Sequence, residues 1–248
     1  AQYSYEWDEC LFMPAEFTGG AEYNYDDLQD KMLGYHRTIE QTVHIGSVFL
    51  QNEWKNEKWS FLIGARMDKH NLIDHAIFSP RANVRFNPTE DINIRASYSS
   101  GFRAPQAFDE DMHISAVGGE IAMIQRAKDL KEEKSQSLST SVDFYHRFKN
   151  GIQTNFLIEG FYTSLSDVFV LEDIGKDEQG NIIKERRNGS GAKVMGLTLE
   201  GKSVLSSWLS LQAGITLQRS RYNEPEKWSD NENVPTERKM FRTPNTYG

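Results

Sequence analysis

The chain has 248 residues, 38% of them hydrophobic, 26% charged and 12% aromatic, with a formal net charge of −8. No run approaches the ~18 consecutive apolar residues of a transmembrane helix, which leaves a membrane barrel open, because alternation halves the apparent hydropathy of every spanning strand. The acidic balance argues against nucleic acid as a partner, and the single Cys10 excludes an intrachain disulfide framework.

Period-two alternation predicts about ten strands. The first covers 2–8 and is followed by a long connection, 9–41, in which Phe12, Phe17, Tyr23, Tyr25 and Tyr35 stand among Glu16, Glu22, Asp26, Asp27 and Asp30. Strands at 42–54 and 58–68 are joined through Lys55-Asn56-Glu57, and a connection over 69–75 leads to strands at 76–86 and 91–101. This second pair turns at Asn87-Pro88-Thr89-Glu90, a short polar segment with the residues that favour a hairpin. The long segment 102–133 follows, and its stretch 118–131 could hold one or two helical turns. Strands at 134–147 and 151–164 turn at Lys149-Asn150-Gly151, and after the connection 165–192 the strands 193–204 and 208–221 turn at Leu205-Ser206-Ser207. A last connection, 222–240, precedes a strand that begins at 241.

The connections alternate short and long. With strands running up and down in sequence, every short turn falls at one end of the sheet and every longer loop at the other, as in an outer-membrane barrel. A soluble β-sandwich, such as a glycan-binding module, is the rival fold, but Greek-key crossings would mix the ends. Each strand also has one apolar and one polar side: Phe78, Pro80, Ala82, Val84 and Phe86 oppose Ser79, Arg81, Asn83 and Arg85. Trp54, Trp59 and Trp208 flank short turns, where an interface belt places rings with a wet polar handle. Ala1 is read as an internal start.

Four segments in order carry a family likeness: Ser79-Pro80-Arg81 with Asn87-Pro88, Gly101-Phe102-Arg103-Ala104-Pro105 followed by Asp109 and Glu110, Leu130 to Ser135, and Asn188 to Glu200. Together they resemble the β-barrel of TonB-dependent outer-membrane receptors, particularly those of Bacteroidota-type bacteria. In the segment Leu130 to Ser135, Glu132 stands where the family has Pro, and Arg242-Thr243-Pro244 resembles the family's R-x-P. The resemblance implies an all-β, antiparallel up-and-down transmembrane barrel of which residues 1–248 form the C-terminal part, with the plug domain and the last strands missing. It also implies uptake of a scarce chelate across the outer membrane of a Gram-negative bacterium, energised by the TonB complex through the missing plug. A ferric siderophore ranks first as cargo, ahead of cobalamin, haem or a glycan; the lipid bilayer and a surface lipoprotein are the expected partners.

Transport breaks no bond, so no catalytic residue, metal site or cofactor is expected, and there is no Gly-x-Ser-x-Gly, His-Glu-x-x-His or Walker loop. A membrane-barrel hydrolase would need a nucleophile–base pair that the sequence does not offer. Arg66, Arg81, Arg85 and Arg95 share the polar parity of their strands and would form a basic strip on the lumen wall, either a path for an anionic chelate or partners of wall and plug acids. The aromatic residues of 9–41, among them Tyr23, Tyr25 and Tyr35, are candidates for a capture surface whose acids could hold a divalent cation. Further candidate ligand contacts are Arg186 and Arg187 as a small basic spot, Trp228 in 222–240, and His113, whose Met112-His113 context invites haem. Phe102, Arg103, Ala104, Pro105 and Asp109 are expected to be architecture, with Arg103 anchoring the loop base through Asp109 or Glu110.

Overall fold

The computed structural model describes residues 1–35, 37–107, 115–117, 120–226, 235–240 and 245–247. Alternation makes strands of nearly all of them: β1 (Gln2–Cys10), β2 (Met13–Met32), β3 (Arg37–Lys55), β4 (Trp59–His70), β5 (Ile77–Thr89), β6 (Ile92–Arg103), β7 (Ser115–Val117), β8 (Glu120–Arg126), β9 (Glu133–Arg147), β10 (Gln153–Ser166), β11 (Phe169–Lys176), β12 (Ile182–Asn188), β13 (Ala192–Ser206), β14 (Leu209–Glu226), β15 (Glu237–Lys239) and β16 (Thr246–Tyr247). A 12-stranded antiparallel sheet follows chain order through β1 to β6, then β9, β10, β13 and β14, with β15 and β16 both on β14. The residues between β6 and β9 and between β10 and β13 supply a second, 4-stranded sheet in the order β11-β12-β8-β7.

Three expectations are corrected. The segment 9–41 is a tight turn at Leu11 and Phe12 followed by the 20-residue strand β2, paired along its length with β3. The turn was missed because its left-handed residue is Leu11 (φ 67), without a Gly or Asn to mark it. This added strand reverses the direction of β1 and puts the Leu11–Phe12 turn at the end of the sheet that holds the other short turns. The connection 33–36 at the opposite end is short as well, and there it is the paired strands β2 and β3 that are long. The expected helical turns in 118–131 are replaced by strand β8, and 165–192 holds the paired strands β11 and β12.

Register separates the two faces cleanly. One row runs across the sheet through Trp59, Phe86, Ile94, Val142, Ile158, Leu199 and Ile215. The row one residue away runs through Ser60, Arg85, Arg95, Ser141, Glu159, Thr198 and Thr216. On the apolar face Ile63 is 61% exposed and Leu50 58%, whereas on the polar face Asp68 and Ser47 are only 3% and 4% exposed. A sandwich would bury the apolar face against a second sheet, and no described residues cover it. Aromatic residues bound this face at both ends. Near the short turns Trp59 stacks on Phe86 (ring centroids 4.1 Å) and Phe12 on Trp54 (5.8 Å). At the other end Tyr23 Oη lies 2.7 Å from His44 Nδ1, and Tyr25 packs on the same imidazole. From Trp59 to Lys69, the apolar-parity β4 residue that pairs with Gly46 beside this second cluster, about ten residue steps rise ~34 Å along the strand, or ~26 Å at a tilt of ~40°, the height of a barrel's lipid-facing band. The sheet is the wall of a transmembrane barrel, with its polar face toward the lumen. No described helix is long and apolar enough to cross a membrane.

Candidate functional site

At the long-loop end the β2–β3 ribbon outruns its neighbours. β4 ends with His70 opposite Ile45, while β2 and β3 stay paired to Met32 and Arg37. The ribbon therefore projects roughly 27 Å past β4. Its lumen-side row includes Ile39, Gln41 and the buried Val43. Gln41 Oε1 accepts a bond from the amide of Ala107 at 2.7 Å, and Arg37 donates to the carbonyl of Ile124 on β8.

The residues of the sequence signatures meet beneath the second sheet. Ala104 is buried against Ile73 and Ile77, with Phe102 packed alongside. The carbonyl of Pro105 accepts a bond from Arg126 Nη1 at 3.2 Å. Asn188 ties two loops together: Oδ1 accepts from the Lys131 amide at 2.8 Å, and Nδ2 donates to the carbonyls of Lys131 (3.0 Å) and Asp167 (2.8 Å). Arg103 lies 3.6 Å from Glu133 and stands over the ring of Phe169 at 5.6 Å. These are the described anchors of Arg103; Asp109 and Glu110, the expected ones, lie outside the described residues. Glu132, at the family's Pro position, is buried between His75 Nε2 (3.1 Å) and Lys134 Nζ (3.0 Å). Burial pushes its pKa up, but the Lys134 bond, a backbone bond and the nearby positive charges together hold it below the ordinary glutamate value.

The second sheet is built from two loops at once. β12 runs parallel to β8, with Ile183 opposite Met123 and Arg186 opposite Arg126, and β11 and β7 flank the pair. Parallel pairing inside one sheet needs a distant partner segment, so neither loop could make it alone. A cleft of about 330 Å³ separates this sheet from the β2–β3 ribbon, lined by Arg37, Thr38, Glu40, Met123, Gln125 and Arg126 among others. A cleft at the open end of a polar lumen, with two guanidinium groups in its wall, can bind an anionic ligand without reacting with it. Sequence reading passed over Arg37 and Arg126 because it placed them in a loop and in helical turns. Neither segment announces a strand by alternation: the period in 23–31 is lost after Tyr25, with Leu28 on the opposite parity, and Ile121, Ala122, Met123 and Ile124 are consecutive.

The predicted site residues do not converge. Tyr23 and Tyr25 project from the apolar-parity face of a strand, 65% and 59% exposed, at the height of the outer interface rather than in a capture loop. Tyr35 ends a short 3-10 turn between β2 and β3. Arg186 and Arg187 do not form one spot, since neighbouring strand residues point to opposite sides. Arg186 is buried, and Arg187 pairs with Glu172 and Glu185 at 2.8 Å each. His113 and Trp228 lie outside the described residues, as does Arg242-Thr243-Pro244. Arg66, Arg81, Arg85 and Arg95 do share the lumen face. Arg66 is tied to Asp68 (2.8 Å), Ser47 (2.7 Å) and Glu22 (3.0 Å). Arg95 has Asp143 at 3.9 Å, and Arg81 Nε would lie 3.3 Å from a Cβ placed at Gly64. Among the described residues, no group of three or more His, Cys, Asp or Glu is arranged to hold a metal ion.

Residues 2–247 match the family model described as TonB dependent receptor-like, beta-barrel. The chain belongs to the TonB-dependent receptor β-barrel family. Solved structures with the same fold include the siderophore receptor PirA from Pseudomonas aeruginosa, with a TM-score of 0.74 at 18% identity over 89% of this chain and 42% of that one. PirA from Acinetobacter baumannii gives 0.67 at 15% identity over 90% and 36%. The FrpB iron transporter from Neisseria meningitidis gives 0.60 at 15% over 89% and 35%. This receptor chain thus spans less than half the length of these structures. No curated protein sequence matches it. Members of the family are transport receptors and not enzymes.

Proposed function

We propose that this barrel segment serves an outer-membrane receptor of a Gram-negative bacterium that imports a ferric siderophore, with energy delivered by the TonB complex. The observation that carries the reading is the cleft at the loop end, where Arg37 and Arg126 line the approach to a polar lumen. A ferric siderophore presents clustered catecholate, hydroxamate or carboxylate oxygens, which guanidinium forks bind well. The names of the structures that share the fold, siderophore receptors and an iron transporter, support the same cargo class. The test is growth of a strain deleted for the full-length receptor gene, with ferric siderophores, haem or cobalamin supplied one at a time under limitation. Loss of growth on one ferric siderophore, restored by the wild-type gene and weakened by Arg37→Met with Arg126→Met, is expected. Unchanged growth on every ferric siderophore, with a defect on haem or cobalamin, would overturn the cargo assignment.

A further inference from the structure

Arg85 on β5 and Arg95 on β6 are direct register partners on the lumen face. Cβ atoms of facing residues lie about 4.5–5.5 Å apart, and two like charges so placed repel. Arg95 has relief from Asp143, 3.9 Å away. Arg85 has none: it makes no hydrogen bond or ion pair with any described residue, and its Nε is withdrawn from the surface without a partner. A guanidinium cannot shed its charge, so a partly buried one calls for an oxyanion.

A cavity of about 340 Å³ opens over the pair, lined among others by Ser60, Ser97, Ser139 and Ser141. Ser60 donates to Glu53 at 2.7 Å, and Ser97 and Ser139 share a bond at 2.7 Å, so one hydroxyl of that pair and Ser141 can add bonds to an anion. Asp143 and Glu159 line the same cavity. Asp143 lies diagonally from Arg95, whose register partner is Ser141. Glu159 is three strands from Arg85 along the row, ~14 Å between backbones, and Glu53 is bonded to Ser60, the β4 partner of Arg85, but neither glutamate forms an ion pair with Arg85. With two acids already in the wall, a monoanion fits better than a phosphate dianion. Ser60 follows the short turn at 56–58, so the position lies at the far end of the lumen from the loop cleft.

We propose that Arg85 and Arg95 form an anion site on the lumen wall that takes a carboxylate, gripped from both sides by the two guanidinium groups. The carboxylate can come from a side chain of another segment of the receptor lying in the lumen, or from a small molecule. The site does not depend on which cargo the receptor imports.

The test is thermal unfolding of the full-length receptor in detergent, as wild type, Arg85→Met and Arg85→Lys, with acetate replacing chloride at constant ionic strength. A protein carboxylate predicts a midpoint lower by roughly 5 °C in Arg85→Met, a much smaller loss in Arg85→Lys, and no response to acetate. A small-molecule carboxylate predicts that acetate raises the wild-type midpoint and leaves that of Arg85→Met unmoved. Equal midpoints for wild type and Arg85→Met, with no acetate response in either, overturn the site. Where Arg85→Met does not fold, Arg85→Lys decides: near-wild-type stability supports a charge-dependent site, and a large loss with no response to acetate overturns it.

Discussion

Gly191 precedes β13 and adopts φ +93, a backbone conformation that L side chains rarely take. A Cβ there would lie 2.4 Å from the carbonyl oxygen of Leu165, the β10 residue paired with Ala192, and 3.0 Å from Asn223 Nδ2. Gly191→Ala therefore incurs two costs. The positive φ costs about 1–2 kcal/mol, and the clash, which backbone must relieve, adds about 1–3 kcal/mol. Gly151, in the short turn between β9 and β10, separates the two: its φ is +89, and nothing lies within 4 Å of a Cβ placed there. Gly151→Ala should lose only the first amount. Guanidinium unfolding of the two variants in detergent, followed by tryptophan fluorescence, measures the difference, expected to be about 1–3 kcal/mol in the same direction. Equal losses within about 0.5 kcal/mol would show that the packing around Gly191 yields without cost and would refute the reasoning.

The two faces of β4 can be tested at adjacent residues. Ile63→Arg places a charge in the lipid-facing band and should cost about 2–4 kcal/mol, whereas Leu62→Arg points to the lumen opposite Glu53 and should be tolerated; heat-modifiability gels of outer-membrane fractions report both. Glu132 titrates in the folded receptor below its unfolded value, so its contribution is full above the ordinary glutamate range and drains away as pH falls through the lower folded value. Unfolding midpoints measured between about pH 3 and 5 should fall less steeply in Glu132→Gln than in wild type. Asn188→Ala removes the three bonds that join Lys131 and Asp167, and should cost about 1–3 kcal/mol with faster amide exchange at Lys131. Unchanged exchange there would show that the two loops hold together without that side chain.

The sequence alone determined which residues share a face, because strand side chains alternate and parity needs no knowledge of neighbours. Phe78 and Ile63 fell outside, and Arg81, Arg85 and Arg95 inside, from their positions in the chain. The family signatures were legible for the same reason: they are local runs with their own turn chemistry. A boundary without such chemistry was not. Leu11 turns the chain with no glycine or asparagine, so strand β2 was hidden and Tyr23 and Tyr25 were placed in a loop. Only the tertiary structure decided what meets what. The parallel pairing of β8 with β12 joins segments about 60 residues apart, and each strand, seven residues without a clean alternation, is too short to announce a partner. The crossing bonds of Asn188, the burial of Glu132 between His75 and Lys134, and the confrontation of Arg85 with Arg95 are properties of register between strands. Register is set by the whole sheet closing on its turns, and no single segment carries it.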